Sequence, residues 1–116
     1  MELVYICSPL RATATYAYLQ NIANAVDYCK LAIKQRSDIV PIAPHIYFTR
    51  FMNDNDSLQR SKACDMGLAL LERCSELWVY GDYISNGMLA EINYAETLGL
   101  PIRYFTADGQ PKGAVS

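Results

Sequence analysis

The chain alternates short apolar runs with longer segments of helical periodicity, and this alternation constrains its fold more than any other feature. Four runs rich in β-branched and aromatic side chains, typical of strands, cover residues 3–7, 38–44, 76–81 and 101–105. Helical spacing of apolar residues covers residues 15–35 and 58–74, and a third helix begins within residues 84–99. Strands separated by helices predict right-handed crossovers and a parallel sheet with helices on both faces.

The expected fold class is therefore α/β, a three-layer Rossmann or flavodoxin-like parallel sheet of four to five strands. Pro41 in the second run predicts an edge position for that strand, where a missing N–H is tolerated. The 116 residues, 52% hydrophobic and 19% charged, predict one domain over residues 1–116 with a real core. Asp56 or Ser57 is expected to cap the second helix, and the polar residues 106–116 to be mobile or to make subunit contacts.

Composition and charge argue against several classes of function. A net charge of -2 and a pI near 5.2 disfavour a nucleic-acid polymer as the partner. No apolar run approaches the length of a membrane span and the N-terminus has no basic region, so we expect a cytoplasmic protein without a membrane partner. Four cysteines without a C-x-x-C pair and one histidine predict no metal site, and we expect no cofactor and reduced, mostly buried cysteines.

Polar side chains follow three of the predicted strands. In parallel sheets, ligands bind beyond the carboxyl ends of the strands, where the winding of the sheet reverses. The first three strands bring to this edge Ser8, Pro9, Arg11, Pro44, His45, Asp82, Ser85 and Asn86.

Glu91 in the stretch "ISNGMLAEINYAETLG" is a carboxylate beside an apolar stripe. Helical spacing puts Met88, Ile92, Ala95 and Leu98 on one face that should contact a core, and Glu91 borders this face. Burying a carboxylate against apolar surface costs several kcal/mol of folding free energy unless the group is ion-paired, hydrogen-bonded or solvated. Glu91 is therefore either a first-turn glutamate favoured by the helix dipole, a partner of a basic side chain, or a functional group facing the cleft.

The stretches "VYICSPLR" and "ELWVYGDYISNGMLAEINYAETLGLPI" resemble the nucleoside 2-deoxyribosyltransferase superfamily, including its deoxynucleoside 5′-monophosphate N-glycosidases. A closer likeness, through "SPLR", "PIAPH" and "MGLALLERCSELWVYG", is to short uncharacterised bacterial and phage proteins of the same fold. The resemblance extends nearly to Phe105. Its most specific part is the spacing of Ser85, Gly87 and Glu91.

This resemblance implies roles for individual residues. Glu91 matches the nucleophile that attacks the anomeric carbon of a deoxyribose, and Tyr5 matches a tyrosine that hydrogen-bonds it. Loops at two strand ends match those that receive a 5′-phosphate in the monophosphate branch, through Ser8 with Arg11 and through Ser85 with Gly87. The expected substrate-binding residues are Ser8, Pro9, Arg11, His45, Ser85, Asn86, Gly87 and Met88.

The acid that protonates the leaving base is less clearly placed. The resemblance implies a second catalytic carboxylate upstream of the third strand, and Asp65 comes about one helical turn too early. The matching spacing falls near Gly67 or Leu68, which cannot transfer a proton. Asp82 is an alternative acid, although a strand-end aspartate also forms turns. His45 is another, although a lone histidine often has only a structural role.

Two functions follow as alternatives. The first is cleavage or exchange of the N-glycosidic bond of a deoxynucleoside or its 5′-monophosphate through Glu91. The second is a non-catalytic module that binds a nucleotide-derived ligand. Phosphoribohydrolase chemistry is disfavoured because the longer glycine and arginine motif of that group is missing.

A homodimer or larger homo-oligomer is expected from the exposed Leu89 and from the aromatic segment, which either stacks on a base or folds onto the core. The members of that segment are His45, Tyr47, Phe48 and Phe51.

Overall fold

A five-stranded sheet forms the centre of the computed structural model, which describes residues 1–113. Its strands are β1 (Glu2–Cys7), β2 (Ile39–Ile42), β3 (Glu76–Tyr80), β4 (Ile102–Phe105) and β5 (Pro111–Lys112). Their spatial order is β2-β1-β3-β4-β5, with β1 to β4 parallel and β5 antiparallel to β4. The predicted α/β fold class is confirmed. The predicted edge position of the strand containing Pro41 is confirmed as well.

Four helices connect the strands. They are α1 (Thr15–Gln35), α2 (Pro44–Phe48), α3 (Ser57–Leu71) and α4 (Asn86–Leu98). Alternation along β1 divides the core into two layers, because successive side chains point to opposite faces. Val4 and Ile6 pack with α1, whereas Tyr5 and Cys7 pack in the layer that α3 and α4 cover. The chain turns to β2 on one side of β1 and to β3 on the other, so the winding reverses at the carboxyl end of β1.

Helix α1 has the predicted bounds but buries a different face. The helical spacing of its apolar residues predicts a buried stripe made of Leu19, Ile22, Ala23, Val26, Cys29 and Ile33. Leu19 and Ile33 are instead 57% and 47% exposed, and the buried residues are Ala25, Tyr28 and Ala32. Large rings cover this face of the sheet, and Tyr28 stacks on Tyr80 with 4.8 Å between ring centroids. Small alanines let the helix approach that aromatic surface, so the prediction from hydrophobicity alone was wrong.

The ends of α3 and α4 follow local capping rules. Asp56 caps α3 by accepting hydrogen bonds from the N–H groups of Leu58 and Gln59, at 2.9 and 3.2 Å, as one of the two predicted caps. Helix α4 buries its predicted stripe except Leu98, which is 39% exposed. Gly99 ends this helix with φ of 75°, and the chain then reverses so that Leu100 packs on the core in place of Leu98.

Part of the C-terminal segment is held against the sheet and is not mobile there, whereas the predicted subunit contacts stay a prediction. Residues 111–112 form β5 and pair with β4, and Lys112 Nζ donates a hydrogen bond to the carbonyl of Gly81. The segment is thus joined to the sheet at residues 111–112, and residues 114–116 lie outside the described part of the chain. No helix within residues 1–113 is long and apolar enough to cross a membrane.

The cysteines agree only partly with their prediction. All four are free, and Cys7 and Cys74 are buried. Cys29 is half-buried, whereas Cys64 is exposed on α3. The expectation of mostly buried thiols was therefore wrong for Cys64, because that turn of α3 borders an open cavity instead of packing on the sheet.

Glu76 anchors the amino end of β3 through three hydrogen bonds, of which only the one from Trp78 is fully buried. Its Oε1 accepts from Trp78 Nε1 and Arg103 Nε, both at 2.9 Å, and its Oε2 accepts from Arg36 Nη1 at 3.0 Å. Burial raises the pKa of Glu76, but the hydrogen bonds from Trp78, Arg103 and Arg36 outweigh burial and lower it to about 2. The ionised carboxylate therefore stabilises the fold at neutral pH.

Glu76→Gln should lower the free energy of unfolding by roughly 3 kcal/mol at pH 7. It removes the carboxylate that pairs with Arg103, which has no other ion pair among the described residues, and it leaves Arg36 with only its exposed partners Glu2 and Asp38. A group with a lowered folded pKa stabilises above its unfolded pKa, and this contribution is lost as the pH falls toward about 2. Urea unfolding at pH 7 and pH 3 measures the difference between variant and wild type. A difference that does not shrink at pH 3 would contradict the network's role.

Candidate active site

A cavity of about 730 Å³ opens at the carboxyl edge of the sheet. Its walls come from the loop after β1, from α2 and the loop that follows it, from α3 and from the start of α4. The cavity thus lies at the point where the winding of the sheet reverses, which is where parallel α/β sheets bind ligands.

Helix α4 begins at the wall of this cavity. Ser85 is its N-cap, and the Ser85 Oγ accepts a hydrogen bond from the N–H of Met88 at 3.2 Å. Met88 is buried and its Sδ accepts from the N–H of Ser85 at 3.4 Å, which fixes the turn from the other side. The first turn is therefore rigid. Glu91 follows it by one turn on the cavity side.

Glu91 is held by two donors from β1. The Tyr5 hydroxyl donates a hydrogen bond to Oε2, and the Cys7 thiol donates to Oε1 at 3.3 Å. Tyr5 and Cys7 are two residues apart on a strand and therefore point to the same face of the sheet. Glu91 has no ion pair among the described residues, so the interpretation that a basic side chain neutralises it is wrong.

Burial raises the pKa of Glu91 to about 7, although the hydrogen bonds from Tyr5 and Cys7 act to lower it. Burial and the negative charge of Glu91 in turn raise the pKa values of Tyr5 and Cys7, so both keep their protons and act as donors. The site consequently presents a carboxylate that changes its charge near neutral pH. A group with such a pKa can serve as a nucleophile or a proton carrier.

Gly67 lets α3 pass close to the Tyr5 hydroxyl. A Cβ atom at position 67 would lie 3.2 Å from Tyr5 Oη, which is tighter than an ordinary contact. The position where the expected second carboxylate would fall by spacing is near Gly67 or Leu68, and neither residue carries a group that transfers a proton. Both residues line the cavity.

His45 links α2 to the end of β1. Its Nε2 lies 2.9 Å from the carbonyl oxygen of Ser8, and only a protonated Nε2 can donate to that oxygen. Burial lowers the pKa of His45 and outweighs the opposing effects of the Ser8 hydrogen bond and the Asp54 charge. The ring is therefore neutral near pH 7, with its Nε2 proton already committed to Ser8. Neutral imidazole is a poor acid, so His45 is better suited to accept a hydrogen bond through Nδ1.

Several donors near the end of β1 have no acceptor. Ser8 is 2% exposed, and its Oγ has no hydrogen-bond partner within residues 1–113. The first N–H groups of a helix lack partners within it, and the Ser85 cap satisfies only that of Met88. The amides of Asn86 and Gly87 and the exposed guanidinium of Arg11 also line the cavity. An anion can be bound by the combination of a hydroxyl group, the amides at the start of a helix and a guanidinium group.

Most of the predicted site residues lie together. The cavity is lined by Tyr5, Ser8, Arg11, His45, Ser85, Asn86, Gly87, Met88 and Glu91. Pro9, Asp65 and Asp82 are not among its lining residues. Asp65 is exposed because α3 turns Cys64, Gly67 and Leu68 toward the cavity instead. The Asp82 side chain is 85% exposed and its Oδ1 lies 3.8 Å from Lys112 Nζ, so neither aspartate is placed to reach a ligand beside Glu91.

Sequence reasoning missed three residues of this region. Cys7 does not line the cavity but donates to Glu91, and it had an available signal, since it follows Tyr5 by two residues on a strand. Asp54 and Arg60 had none, because the loop before α3 has no periodicity from which to place them. Of the aromatic segment, Phe48 lines the cavity, while Tyr47 and Phe51 are exposed and contact each other edge to face. No group of three potential metal ligands occurs within the described residues.

The fold is similar to that of a solved deoxyribosyltransferase. The 2-deoxyribosyltransferase from the psychrotolerant bacterium Bacillus psychrosaccharolyticus superposes with a TM-score of 0.63 at 16% sequence identity, covering 96% of this chain and 77% of that chain. The class of fold is therefore nucleoside 2-deoxyribosyltransferase-like. Residues 2–105 match the model of the family described as Domain of unknown function (DUF7768), and the chain belongs to that family. No curated protein sequence matches it.

Tyr5→Phe and Cys7→Ala should each raise the pKa of Glu91 above about 7, because each removes a donor that favours the charged carboxylate. The hydroxyl is the stronger donor, so Tyr5→Phe should have the larger effect. Carbon NMR of protein labelled at its glutamate carboxyl groups follows the titration, with Glu91→Gln identifying the resonance. Cys74→Ala removes another buried thiol without touching Glu91 and should leave the pKa unchanged. An unchanged or lower pKa in both variants would contradict the described contacts.

Proposed function

We propose that this protein cleaves or transfers the N-glycosidic bond of a deoxynucleoside or its 5′-monophosphate, with Glu91 as nucleophile. The observation that carries the proposal is the half-buried Glu91 carboxylate, held by Tyr5 and Cys7 at the wall of a nucleotide-sized cavity. The deoxyribosyltransferase-like fold supports it further. A carboxylate aimed into a cavity without a cation beside it is suited to attack an electron-poor carbon.

The reaction proceeds in two displacements. A Glu91 oxygen bonds to the anomeric carbon while the carbon–nitrogen bond breaks, and its electron pair leaves with the base, which takes up a proton. Water or a second base then attacks the same carbon, loses a proton and releases the Glu91 carboxylate. The negative charge of Glu91 also stabilises the oxocarbenium-like transition states of both steps.

Glu91→Ala should abolish base release from a panel of deoxynucleosides and their 5′-monophosphates, and Glu91→Gln should nearly do so, because neither side chain can form the covalent intermediate. The wild-type rate at limiting substrate should rise with pH through about 7, since only the ionised carboxylate attacks. Chromatography of free base measures both effects. Glu96→Gln, at an exposed position on the same helix, should behave as wild type.

Wild-type-like release in either Glu91 variant would rule out the nucleophile. The absence of any release from the wild type, together with tight nucleotide binding, would favour the alternative of a non-catalytic binding module. That alternative draws support from one observation. Asp65 and Asp82, the two aspartates expected to act as acid, do not line the cavity.

A phosphate group on the substrate would meet the donors at the end of β1 and the start of α4. Ser8 offers a buried hydroxyl, Arg11 a guanidinium, and Asn86 and Gly87 their amides. We infer that the 5′-monophosphate is the better ligand.

A homodimer or larger homo-oligomer is also part of the proposal, supported by the exposure of Leu89.

A deoxynucleoside 5′-monophosphate should bind at least ~10-fold more tightly than the same nucleoside, because charge-assisted hydrogen bonds each contribute about 1.5–3 kcal/mol. Arg11→Ala should reduce this ratio while leaving nucleoside affinity unchanged. Calorimetry on Glu91→Gln protein gives both affinities without turnover. Arg50→Ala removes an exposed guanidinium that does not line the cavity and is the matched control. Equal affinities for the two ligands would mean that this cluster of donors is not a phosphate site.

A further inference from the structure

The cavity holds a nucleophile but no carboxyl group placed to protonate a leaving base. The chain has twelve acidic side chains, all within residues 1–113, and only Asp54 and Glu91 line the cavity. The pKa of Glu91 is raised by burial and lowered by the hydrogen bonds from Tyr5 and Cys7, and no second carboxylate contributes. A carboxyl group keeps its proton at neutral pH only where burial or a neighbouring negative charge favours the neutral form, and Asp54 is only half-buried.

The other titratable side chains at the cavity release protons slowly. They are Tyr5, Tyr18, His45, Cys64 and Tyr83, besides two arginines. Burial raises the pKa values of Tyr5, Tyr18 and Cys64, and nearby carboxylates raise them further. His45 is neutral, and its Nε2 proton is already donated to the carbonyl of Ser8. Phenols, thiols and guanidinium groups are weak acids near neutral pH, so the described part of the cavity wall lacks an efficient proton donor.

A base that is already positively charged needs no proton donor. A neutral base departs with the electron pair of its glycosidic bond and leaves readily only when it is protonated. In a cationic base the same electron pair neutralises the ring, so the base leaves as a stable neutral molecule. The turn of α3 at the Tyr5 hydroxyl carries Gly67, which has no proton to give. The described site is therefore matched to the second kind of base.

The cavity wall also attracts positive charge. Glu91 and Asp54 line it without an ion pair among the described residues, and the charges of both reach the Cys64 thiol on α3. The rings of Tyr18 and Phe48 line the same cavity. A cationic ring is attracted both by carboxylates and by the faces of aromatic side chains.

The two arginines of the cavity do not cancel this preference. Arg60 Nη1 donates to the backbone carbonyl of Asp54 at 3.1 Å and forms no ion pair with either carboxylate of the cavity. Arg11 belongs to the donors that suit a phosphate. A nucleotide with an anionic phosphate and a cationic base therefore matches the charges of the whole cavity.

A cationic base would also ionise its own nucleophile. With a pKa of about 7, much of Glu91 is protonated at neutral pH and unable to attack. A positive charge nearby favours the carboxylate, so binding of a cationic base shifts Glu91 toward its reactive form. A neutral base brings no such charge.

We propose that the substrates of this site are nucleotides whose base is a cationic nitrogen heterocycle, an assignment that rests on the proposed function. Two kinds of base have this chemistry, purines alkylated at N7 and pyridinium rings. A Glu91 oxygen bonds to the anomeric carbon as the carbon–nitrogen bond breaks, and the electron pair of that bond neutralises the base, which leaves without a proton. Water then attacks the anomeric carbon, loses a proton to the solvent and releases the Glu91 carboxylate.

The test compares the common deoxynucleoside 5′-monophosphates with two cationic nucleotides, 7-methyl-2′-deoxyguanosine 5′-monophosphate and nicotinamide mononucleotide. Cationic bases leave faster even in water, so each kcat/KM is divided by the rate of spontaneous release under the same conditions. This acceleration should be at least as large for one cationic nucleotide as for any neutral one, since the nucleophile serves both. A general acid would instead add about 100-fold or more to the acceleration of the neutral bases alone.

Two variants show whether the acceleration comes from the proposed site. Glu91→Gln should lose it for every base, whereas Glu96→Gln, exposed on the same helix, should retain it. The accepted cationic nucleotide identifies the kind of base. Release of 7-methylguanine indicates alkylated purine nucleotides, and release of nicotinamide indicates pyridinium nucleotides.

A Glu91-dependent acceleration that is larger for a neutral base than for both cationic bases would overturn the substrate class and leave the proposed function standing. It would mean that a proton donor, such as one from a second subunit, acts at the site. Acceleration that persists in Glu91→Gln would overturn both the substrate class and the proposed function. The absence of accelerated release from every nucleotide would do the same.

Discussion

The Glu91 carboxylate, held between Tyr5 and Cys7 with no cation beside it, is the interaction on which the rest of the site depends. Its pKa near 7, against an ordinary value of 4.5, means that ionisation opposes folding. Because the folded pKa is raised, stability falls as the pH rises from about 4.5 to 7, by up to roughly 3 kcal/mol. An arginine in this layer would remove that cost. The carboxylate instead has no ion pair among the described residues.

The surrounding fold is arranged to hold this carboxylate in place. Alternation along β1 sends Tyr5 and Cys7 to the layer of α3 and α4, and the reversal of winding beside β1 opens the cavity there. The Ser85 cap and the buried Met88 fix the start of α4, so Glu91 has little freedom to turn away. Gly67 brings the α3 backbone to the Tyr5 hydroxyl. The Ser85 cap, the alternation of side chains along β1 and the absence of a side chain at Gly67 thus all help to position the Glu91 carboxylate.

Local patterns predicted the order of β1 to β4 with α1, α3 and α4, the bounds of α1, Asp56 as one of two candidate caps, and the edge strand, because each depends on residues close in sequence. They did not predict α2 or β5, which are only five and two residues long. The buried face of α1 was predicted wrongly, since it depends on rings that β3 and β4 present across the interface. The rule that ligands bind at the carboxyl ends of parallel strands predicted that Ser8, His45 and Ser85 lie close together, and all three line one cavity. The same rule predicted Asp82 at this cavity, but the Asp82 carboxylate instead lies 3.8 Å from Lys112 Nζ on the C-terminal strand. Asp54 was missed because its irregular loop has no periodicity from which to place it, although hydrogen bonds from Gln59 and Arg60 fix that loop locally.

The most direct test of the central claim is to trap the covalent intermediate. A nucleoside whose sugar carries fluorine at the 2-position forms the glycosyl ester but hydrolyses slowly, because fluorine destabilises the oxocarbenium-like transition state of the second step. Intact-mass and peptide mass spectrometry should find the sugar attached to Glu91, with no adduct in Glu91→Gln. Release of base without any adduct, or an adduct on another residue, would contradict a nucleophilic Glu91.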